Sequence, residues 1–248
     1  MITGAASGIG QAMAKVFSGL GSSLFLLDID KIGLGQTVDL IKGSDCEVDS
    51  YVVDLANKKE IDDFWQKIVD NPPSVLVNNA GIYPFQDFLL LTEEKLKWVL
   101  NVNLNSAVWM CQNFIKSRNK KGGVIINISS VEAILPFKED LIPYCISKSG
   151  VISLTRSIAR DYGRHGFRAN VILPGAIKTP GTEFLIKSAV NKLKLKLLRT
   201  GYNFNERIAL GRWGKPDEVA KVAVFLASDM SSYVQGSVIP VDGGFLSS

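Results

Sequence analysis

Tyr144-Cys145-Ile146-Ser147-Lys148 sets a phenol and an ammonium group four residues apart. On a helix that spacing brings both onto one face, a single turn apart. A free phenol ionises near pH ~10, too high for a good base near neutrality. A neighbouring cation stabilises the phenolate and lowers that value. Such a pair supplies one group that gives a proton to a carbonyl or takes one from an alcohol. A Tyr-x-x-x-Lys match arises by chance in roughly a third to a half of chains this long, so the surroundings decide its meaning. Ser129 and Ser130 close an apolar run from Val124 to Ile128, and Ser130 stands fourteen positions before Tyr144. In parallel α/β sheets ligands bind beyond the carboxyl ends of strands, so a hydroxyl there faces the binding crevice.

A second constellation opens the chain. Residues 3–10, Thr-Gly-Ala-Ala-Ser-Gly-Ile-Gly, hold Gly4, Gly8 and Gly10 in a G-x-x-x-G-x-G turn with Ser7 and Ile9 between them. The helical run Ala12, Met13, Val16 and Phe17 follows. Glycines there permit a tight turn and let the backbone approach a pyrophosphate, which the next helix N-terminus attracts. The alternative is an ordinary glycine turn. Residues 22–27 read as the next strand, ending in Asp28, eighteen positions beyond Gly10. A carboxylate in that place accepts hydrogen bonds from adenosine ribose hydroxyls and repels a 2′-phosphate. Ile29 follows it and Ser7 sits in the turn, so no Arg or Lys is at hand for that phosphate. NAD(H) is therefore expected in preference to NADP(H), and its oxidised nicotinamide ring would also stabilise a phenolate. The competing reading of Asp28 is a solvated strand-end carboxylate.

These residues need a frame. Strand-like apolar runs occur at 23–27, 50–53, 74–77, 123–128, 169–173 and 238–241, separated by segments of helical spacing. Ile61, Phe64, Trp65, Ile68 and Val69 form one such segment, and Val219, Val222, Ala223 and Leu226 another. Around the Tyr–Lys pair, Ile146, Val151, Ile152, Leu154, Ile158 and Ala159 support a helix. The alternation predicts an α/β fold, a doubly wound parallel sheet forming a single-domain Rossmann fold over residues 1–248. The 46% hydrophobic content of these 248 residues suffices for a sizeable core. The net charge of +4 is modest and spread along the chain, giving no reason to expect a nucleic-acid or membrane partner. Three scattered cysteines, Cys46, Cys111 and Cys145, read as free thiols. With His165 the single histidine, a multi-imidazole zinc site is excluded. No signal peptide or bilayer-length apolar run is visible, so a cytoplasmic protein is expected.

In joint order and spacing these motifs resemble the short-chain dehydrogenase/reductase family, from Thr3 to Gly244. Besides the glycine turn they include Asn78-Asn79-Ala80-Gly81, Asn103 in Asn101-Val102-Asn103-Leu104, Ser130, Tyr144, Lys148, Pro174-Gly175 with Thr179, and Val241-Asp242-Gly243-Gly244. The resemblance implies that Tyr144 is the general acid/base. Lys148 would hold the nicotinamide ribose and depress the phenol's pKa, and Ser130 would polarise the substrate oxygen. Asn103 would position a water that relays protons from Lys148. Asp54, flanked by Leu55, would receive the adenine amino group. Asn79, Ala80 and Gly81 would line the adenosine ribose side, and Ile177 and Thr179, after Pro174 and Gly175, the nicotinamide carboxamide. Hydride passes directly between nicotinamide and substrate, with no metal. Asn78 is often a brace of the central sheet.

Two departures stand out. Only Met1 and Ile2 precede Thr3, where the family carries a longer apolar strand, so the native polypeptide is expected to start upstream. The Ser130-to-Tyr144 spacing is one residue longer than usual, with the extra length in the loop 133–143. A lid over about residues 180–208 is implied, with Leu185, Ile186, Ala189, Val190, Leu193 and Leu197 at helical spacing among Lys187, Lys192, Lys194 and Lys196. Tyr83, Phe85, Ile134 and Phe137 are candidates for apolar pocket wall. A homotetramer or homodimer is implied, through the helices at 96–118 and 144–162 and the segment 238–248. The expected activity is NAD(H)-dependent hydride transfer to or from a small-molecule alcohol or ketone. The alternatives are a 3-oxoacyl-acyl-carrier-protein reductase, with lid lysines docking the acidic carrier, and a non-catalytic dinucleotide-binding protein.

Overall fold

A computed structural model describes residues 1–43, 46–182 and 206–248. Seven strands run parallel in one sheet: β1 Ile2–Thr3, β2 Leu24–Asp28, β3 Val48–Val52, β4 Val75–Asn78, β5 Gly123–Ile128, β6 Phe167–Pro174 and β7 Val238–Val241. Their order is β3-β2-β1-β4-β5-β6-β7, so the sheet reverses direction of growth between β1 and β4. Such a switch point opens a crevice beyond the strand ends. The described helices are α1 Gly8–Gly19, α2 Lys31–Ile41, α3 Lys58–Lys67, α4 Glu93–Leu100, α5 Ser106–Arg118, α6 Ile142–Tyr162 and α7 Pro216–Ala227. This is the doubly wound Rossmann fold that the alternating pattern predicts.

The strands are apolar on both faces because helices cover both. Leu26, Ile126 and Ile172 pack toward Met13, Leu34 and Leu226 of α1, α2 and α7. Their strand neighbours Leu27, Ile125 and Ala169 point the other way, toward Phe64 of α3, Phe114 of α5 and Ile158 of α6. Short as it is, β1 carries the centre of the ladder: Ile2 stands opposite Leu26 on one side and Val77 on the other. Met1 extends the pairing, its nitrogen donating to Val75 O at 2.9 Å and its carbonyl accepting from Val77 N at 2.9 Å.

A buried polar chain fixes α6 against the sheet. Asn78 Nδ2 donates to Asn127 Oδ1, and Asn127 Nδ2 to Thr155 Oγ1, each at 2.8 Å. Asn78 is thus the expected brace. The helix expected over 96–118 is interrupted: a π-helical turn, Asn101–Asn105, separates α4 from α5. Such turns add a residue to the helical ladder and re-aim a side chain. Val69 is exposed because α3 stops at Lys67, and Ile146 lies on the outer side of α6 rather than in its apolar face. The lid's apolar positions and lysines, from Leu185 to Leu197, lie outside the described residues.

The glycine turn is enforced by sterics. Gly4 has φ +66°, a left-handed conformation, and a Cβ added to Gly10 would stand 2.0 Å from Gly4 O. Gly10→Ala should therefore destabilise the fold by about 2–3 kcal/mol in urea unfolding. Gly19→Ala, whose Cβ meets nothing within 4 Å, is the control and should change stability by less than ~1 kcal/mol. Equal unfolding midpoints for the two variants would contradict this account of the turn.

Candidate active site

Beyond the carboxyl ends of β1, β2, β4, β5 and β6 lies a cavity of about 610 Å³, within the range of ligand sites. At one end stand Ser130, Tyr144 and Lys148. Ser130 follows β5, while Tyr144 and Lys148 sit on the first turns of α6, which begins Ile142-Pro143, a residue suited to a first helical turn. Strand and helix are tied reciprocally here. Lys148 Nζ donates to Ile128 O at 2.9 Å, and Ser129 Oγ donates to Lys148 O at 2.8 Å. The Ser130 hydroxyl accepts from Glu132 N at 3.2 Å and stands close enough to the Tyr144 phenol to favour its ionised form. Lys148 Nζ lies 5.9 Å from the Tyr144 ring centroid.

The two titratable groups shift in a way that local spacing does not foresee. Burial pushes Lys148 down to about 8. Burial also pushes the Tyr144 phenol well above its ordinary value, with the Ser130 hydrogen bond pulling partly back and the charge of Glu132 pushing further up. Net, the phenol stands above its ordinary value, with its own burial the largest cause. Asn103, 2% exposed in the π-helical turn, accepts from Ile82 N at 2.8 Å and donates to Ile82 O at 2.8 Å and Ser147 Oγ at 3.1 Å. It stands behind Gly81: a Cβ there would approach Lys148 Nζ to 3.2 Å and Asn103 Oδ1 to 3.3 Å.

The other end is built from the glycine turn and the strand-end carboxylates. Gly4, Ser7, Gly8 and Ile9 line the cavity, while Gly10 lies beneath, giving clearance for the turn. The Ser7 side chain does not cap α1, so the first N–H groups of that helix have no side-chain acceptor there. That cradle fits a phosphate group. Asp28 and Ile29 line the same space; Asp28 Oδ2 accepts from Ala6 N at 2.9 Å and Oδ1 from Asp30 N at 3.0 Å. A carboxylate has about four lone-pair sites, so each oxygen keeps accepting capacity. Asp54 and Leu55 also line it, Asp54 Oδ1 accepting from Ala56 N at 2.9 Å. Asn79, Ala80 and Gly81 form the middle of the wall. Asn79 Nδ2 is spent on Thr3 O and Gly4 O at 3.0 and 3.1 Å, bracing the glycine turn. Pro174, Gly175, Ile177 and Thr179 close the opposite side, and Thr179 Cγ2 lies 3.3 Å from where a Gly8 Cβ would be.

Of the suggested apolar wall only Tyr83 lines the cavity, its ring 6.2 Å from that of Tyr144. Phe137 instead packs on Phe245 at 5.5 Å, Ile134 borders a separate outer groove, and Phe85 is not among the lining residues. Glu132, Lys138 and Leu141 line the cavity and were not singled out from sequence. None of Cys46, Cys111 and Cys145 forms a disulfide. Among the described residues no cluster of three His, Cys, Asp or Glu suits a metal ion, and no helix is long and apolar enough to cross a membrane.

Fold and cavity together define a Rossmann-type dinucleotide-binding oxidoreductase, and the comparisons narrow the class. The family model described as enoyl-(acyl carrier protein) reductase matches residues 4–246. The chain is 40% identical over 256 residues to a 3-oxoacyl-acyl-carrier-protein reductase of Thermotoga maritima, covering 99% of this chain and 96% of that one. It is 36% identical to a 2-dehydro-3-deoxy-D-gluconate 5-dehydrogenase of Bacillus subtilis, covering 100% and 94%. The crystal structure of L-sorbose reductase from Gluconobacter frateurii, complexed with NADPH and L-sorbose, superposes with a TM-score of 0.88 at 27% identity, covering 100% and 95%. The chain belongs to the short-chain dehydrogenase/reductase family, whose members are oxidoreductases working with a nicotinamide dinucleotide.

The depressed Lys148 has a consequence for stability. Between pH 8 and 10.5 the unfolded chain binds a proton at this lysine and the folded chain does not, so stability rises with pH across that window. Below pH 8 the full cost of the buried charge is present. Lys148→Met removes that cost and should unfold later than wild type at pH 7, by about 1–2 kcal/mol after the lost bond to Ile128 O. The gap should narrow toward pH 10, as followed by urea unfolding. A constant gap at both pH values would refute the assigned shift.

Proposed function

We propose that this protein transfers a hydride between NAD(H) and a secondary alcohol or ketone, with Tyr144 as general acid/base. The observation that carries the reading is the placing of Ser130, Tyr144 and Lys148 together in one cavity that also holds a phosphate-sized glycine cradle. When bound, the nicotinamide supplies or accepts the hydride. In reduction Tyr144 gives its proton to the forming alkoxide, and in oxidation it takes the alcohol proton. Ser130 donates to the same oxygen and holds it beside the phenol. Lys148 has two donors left after its bond to Ile128 O, and these hold the nicotinamide ribose hydroxyls. Its charge also favours the phenolate, against the burial that opposes it. Asn103 keeps one acceptor lone pair for the water that refills the proton. Tyr144→Phe preserves the ring packing and removes the proton. The expected result is a loss of about 10²–10⁴ in kcat with cofactor affinity retained, by stopped-flow NADH absorbance and cofactor titration. Undiminished turnover would dismiss Tyr144 from this role.

At the adenosine end Gly4, Ser7, Gly8 and Ile9 receive the pyrophosphate, Asp28 and Ile29 the ribose, and Asp54 and Leu55 the adenine. Asn79, Ala80 and Gly81 flank that ribose, and Pro174, Gly175, Ile177 and Thr179 flank the carboxamide. The only cations lining the cavity among the described residues are Lys138 and Lys148, both at the catalytic end. A 2′-phosphate at Asp28 would meet a carboxylate and no counter-charge, so NADH is the expected cofactor. The identity with the Thermotoga maritima reductase favours a second reading, reduction of a 3-oxoacyl carrier thioester. In steady-state kinetics NADH should exceed NADPH in kcat/KM. Asp28→Asn, which keeps an acceptor for Ala6 N, should narrow that ratio by about tenfold or more. A wild-type preference for NADPH would overturn the assignment of Asp28.

The single domain would span residues 1–248, with its substrate lid over about 180–208. A homodimer or homotetramer would form through the helices at 96–118 and 144–162 and the segment 238–248.

A further inference from the structure

Tyr83 stands beside Tyr144 at the catalytic end of the cavity and is held at three points. Its backbone follows Ile82, whose N–H and carbonyl are both bonded to the Asn103 side chain at 2.8 Å. Its ring meets the Tyr144 ring edge-on, with centroids 6.2 Å apart and planes at 71°. Its hydroxyl lies against Gly181: a Cβ added there would stand 2.4 Å from Tyr83 Oη. Thr179 Oγ1 is 3.9 Å from the same point. Tyr83, Tyr144, Thr179 and Gly181 all line the cavity, so the half-buried ring spans from the segment after β4 to the segment after β6. Burial raises the Tyr83 phenol above its ordinary value, so this wall carries no charge near neutrality.

Edge-on rings at that separation are in contact. A carbon atom wedged between two surfaces needs about 3.5 Å to each of them, so no substrate atom passes between Tyr83 and Tyr144. An unsupported ring would swing aside for a bulky group. This one is stopped at its tip by the Gly181 backbone and at its flank by Tyr144, and its base is fixed through Ile82. Resting on the reading of Tyr144 as the group that meets the substrate oxygen, we propose that Tyr83 is a steric specificity residue. Its ring limits one substituent of the reacting carbon to about the size of a methyl group. The substrate class is then a secondary alcohol or ketone with one small substituent, which faces Tyr83, and one larger.

The test compares pentan-2-ol with pentan-3-ol, as kcat/KM for oxidation by the NAD+-loaded protein. The two are isomers of equal carbon count whose smaller substituents are methyl and ethyl. One methylene against a fixed wall predicts a wild-type preference for pentan-2-ol of about tenfold to a hundredfold. In Tyr83→Ala that ratio should fall toward one. Tyr83→Phe keeps the ring and should keep the preference, which separates a steric wall from a hydrogen bond made by the hydroxyl. Tyr83→Leu, smaller than the ring, should give an intermediate ratio and serves if the alanine variant does not fold. A wild type that takes both isomers equally overturns the proposal. So does an alanine or leucine variant with an undiminished preference, or a phenylalanine variant without one. Calorimetric binding of the two alcohols to NAD+-loaded Tyr144→Phe, which keeps the ring beside Tyr83, separates this inference from the catalytic reading. Selective binding of pentan-2-ol there, alongside a wild type that oxidises neither isomer, would uphold Tyr83 and count against the catalytic reading. Equal oxidation of both isomers by wild type would remove Tyr83 and leave the reading of Tyr144 standing.

Discussion

The reciprocal tie between β5 and α6 governs the rest of the site. An ammonium group that is 4% exposed must find acceptors or lose its charge, and here it finds the carbonyl of Ile128 that ends β5. The strand returns the bond one residue later, from the Ser129 hydroxyl to the Lys148 carbonyl. Two bonds in opposite senses fix both the separation and the rotation of the helix relative to the strand. Ser130 and Tyr144 inherit their mutual reach from that arrangement, since each adjoins or lies one turn from a tied residue. The Asn78–Asn127–Thr155 chain holds the same two elements deeper in the core. Fully paired buried networks of this kind specify one packing more sharply than apolar contacts do.

The two ends of the cavity are mechanically joined through the wall between them. Asn79 braces the glycine turn with its side chain, while Thr3 Oγ1 accepts from Asn79 N and Ala80 N at 3.0 and 3.1 Å. Gly81 then passes close over Lys148 and Asn103. The glycine turn is thus tied through Asn79 and Thr3 to the segment that, two residues on at Gly81, packs against Lys148.

Much of this was legible in the sequence, for identifiable reasons. Strands buried on both faces read as apolar runs, and β5 and β7 begin and end where the runs do. The candidate residues gather around one cavity because they fall at strand ends and helix starts, where local pattern locates them well. What escaped depends on long-range packing. The π-helical turn exists because Asn103 reaches the backbone of Ile82, a contact across 21 positions that no periodicity encodes. Phe137 was misassigned to the pocket wall because a loop has no period to tell one side from the other. Nothing in the local spacing marks Glu132; only its burial beside Ser130 in the cavity does. The phenol's upward shift escaped for the same reason, since spacing reports which charge is near but not how much water is excluded.

Charge along the cavity is graded, and the grading bears on orientation. Carboxylates at Asp28 and Asp54 stand at one end, unsatisfied helix N–H groups in the middle, and the ammonium groups of Lys148 and Lys138 at the other. Hydrogen-bond donors are welcome at the first, anionic groups at the second, and ionising hydroxyls at the third. A dinucleotide presents those chemistries in that order when its adenosine lies over β2, and in the wrong order when reversed. Glu132 interrupts the positive end with one buried negative charge. A carboxylate there works against the phenolate and adds to the rise of the Tyr144 pKa that burial begins.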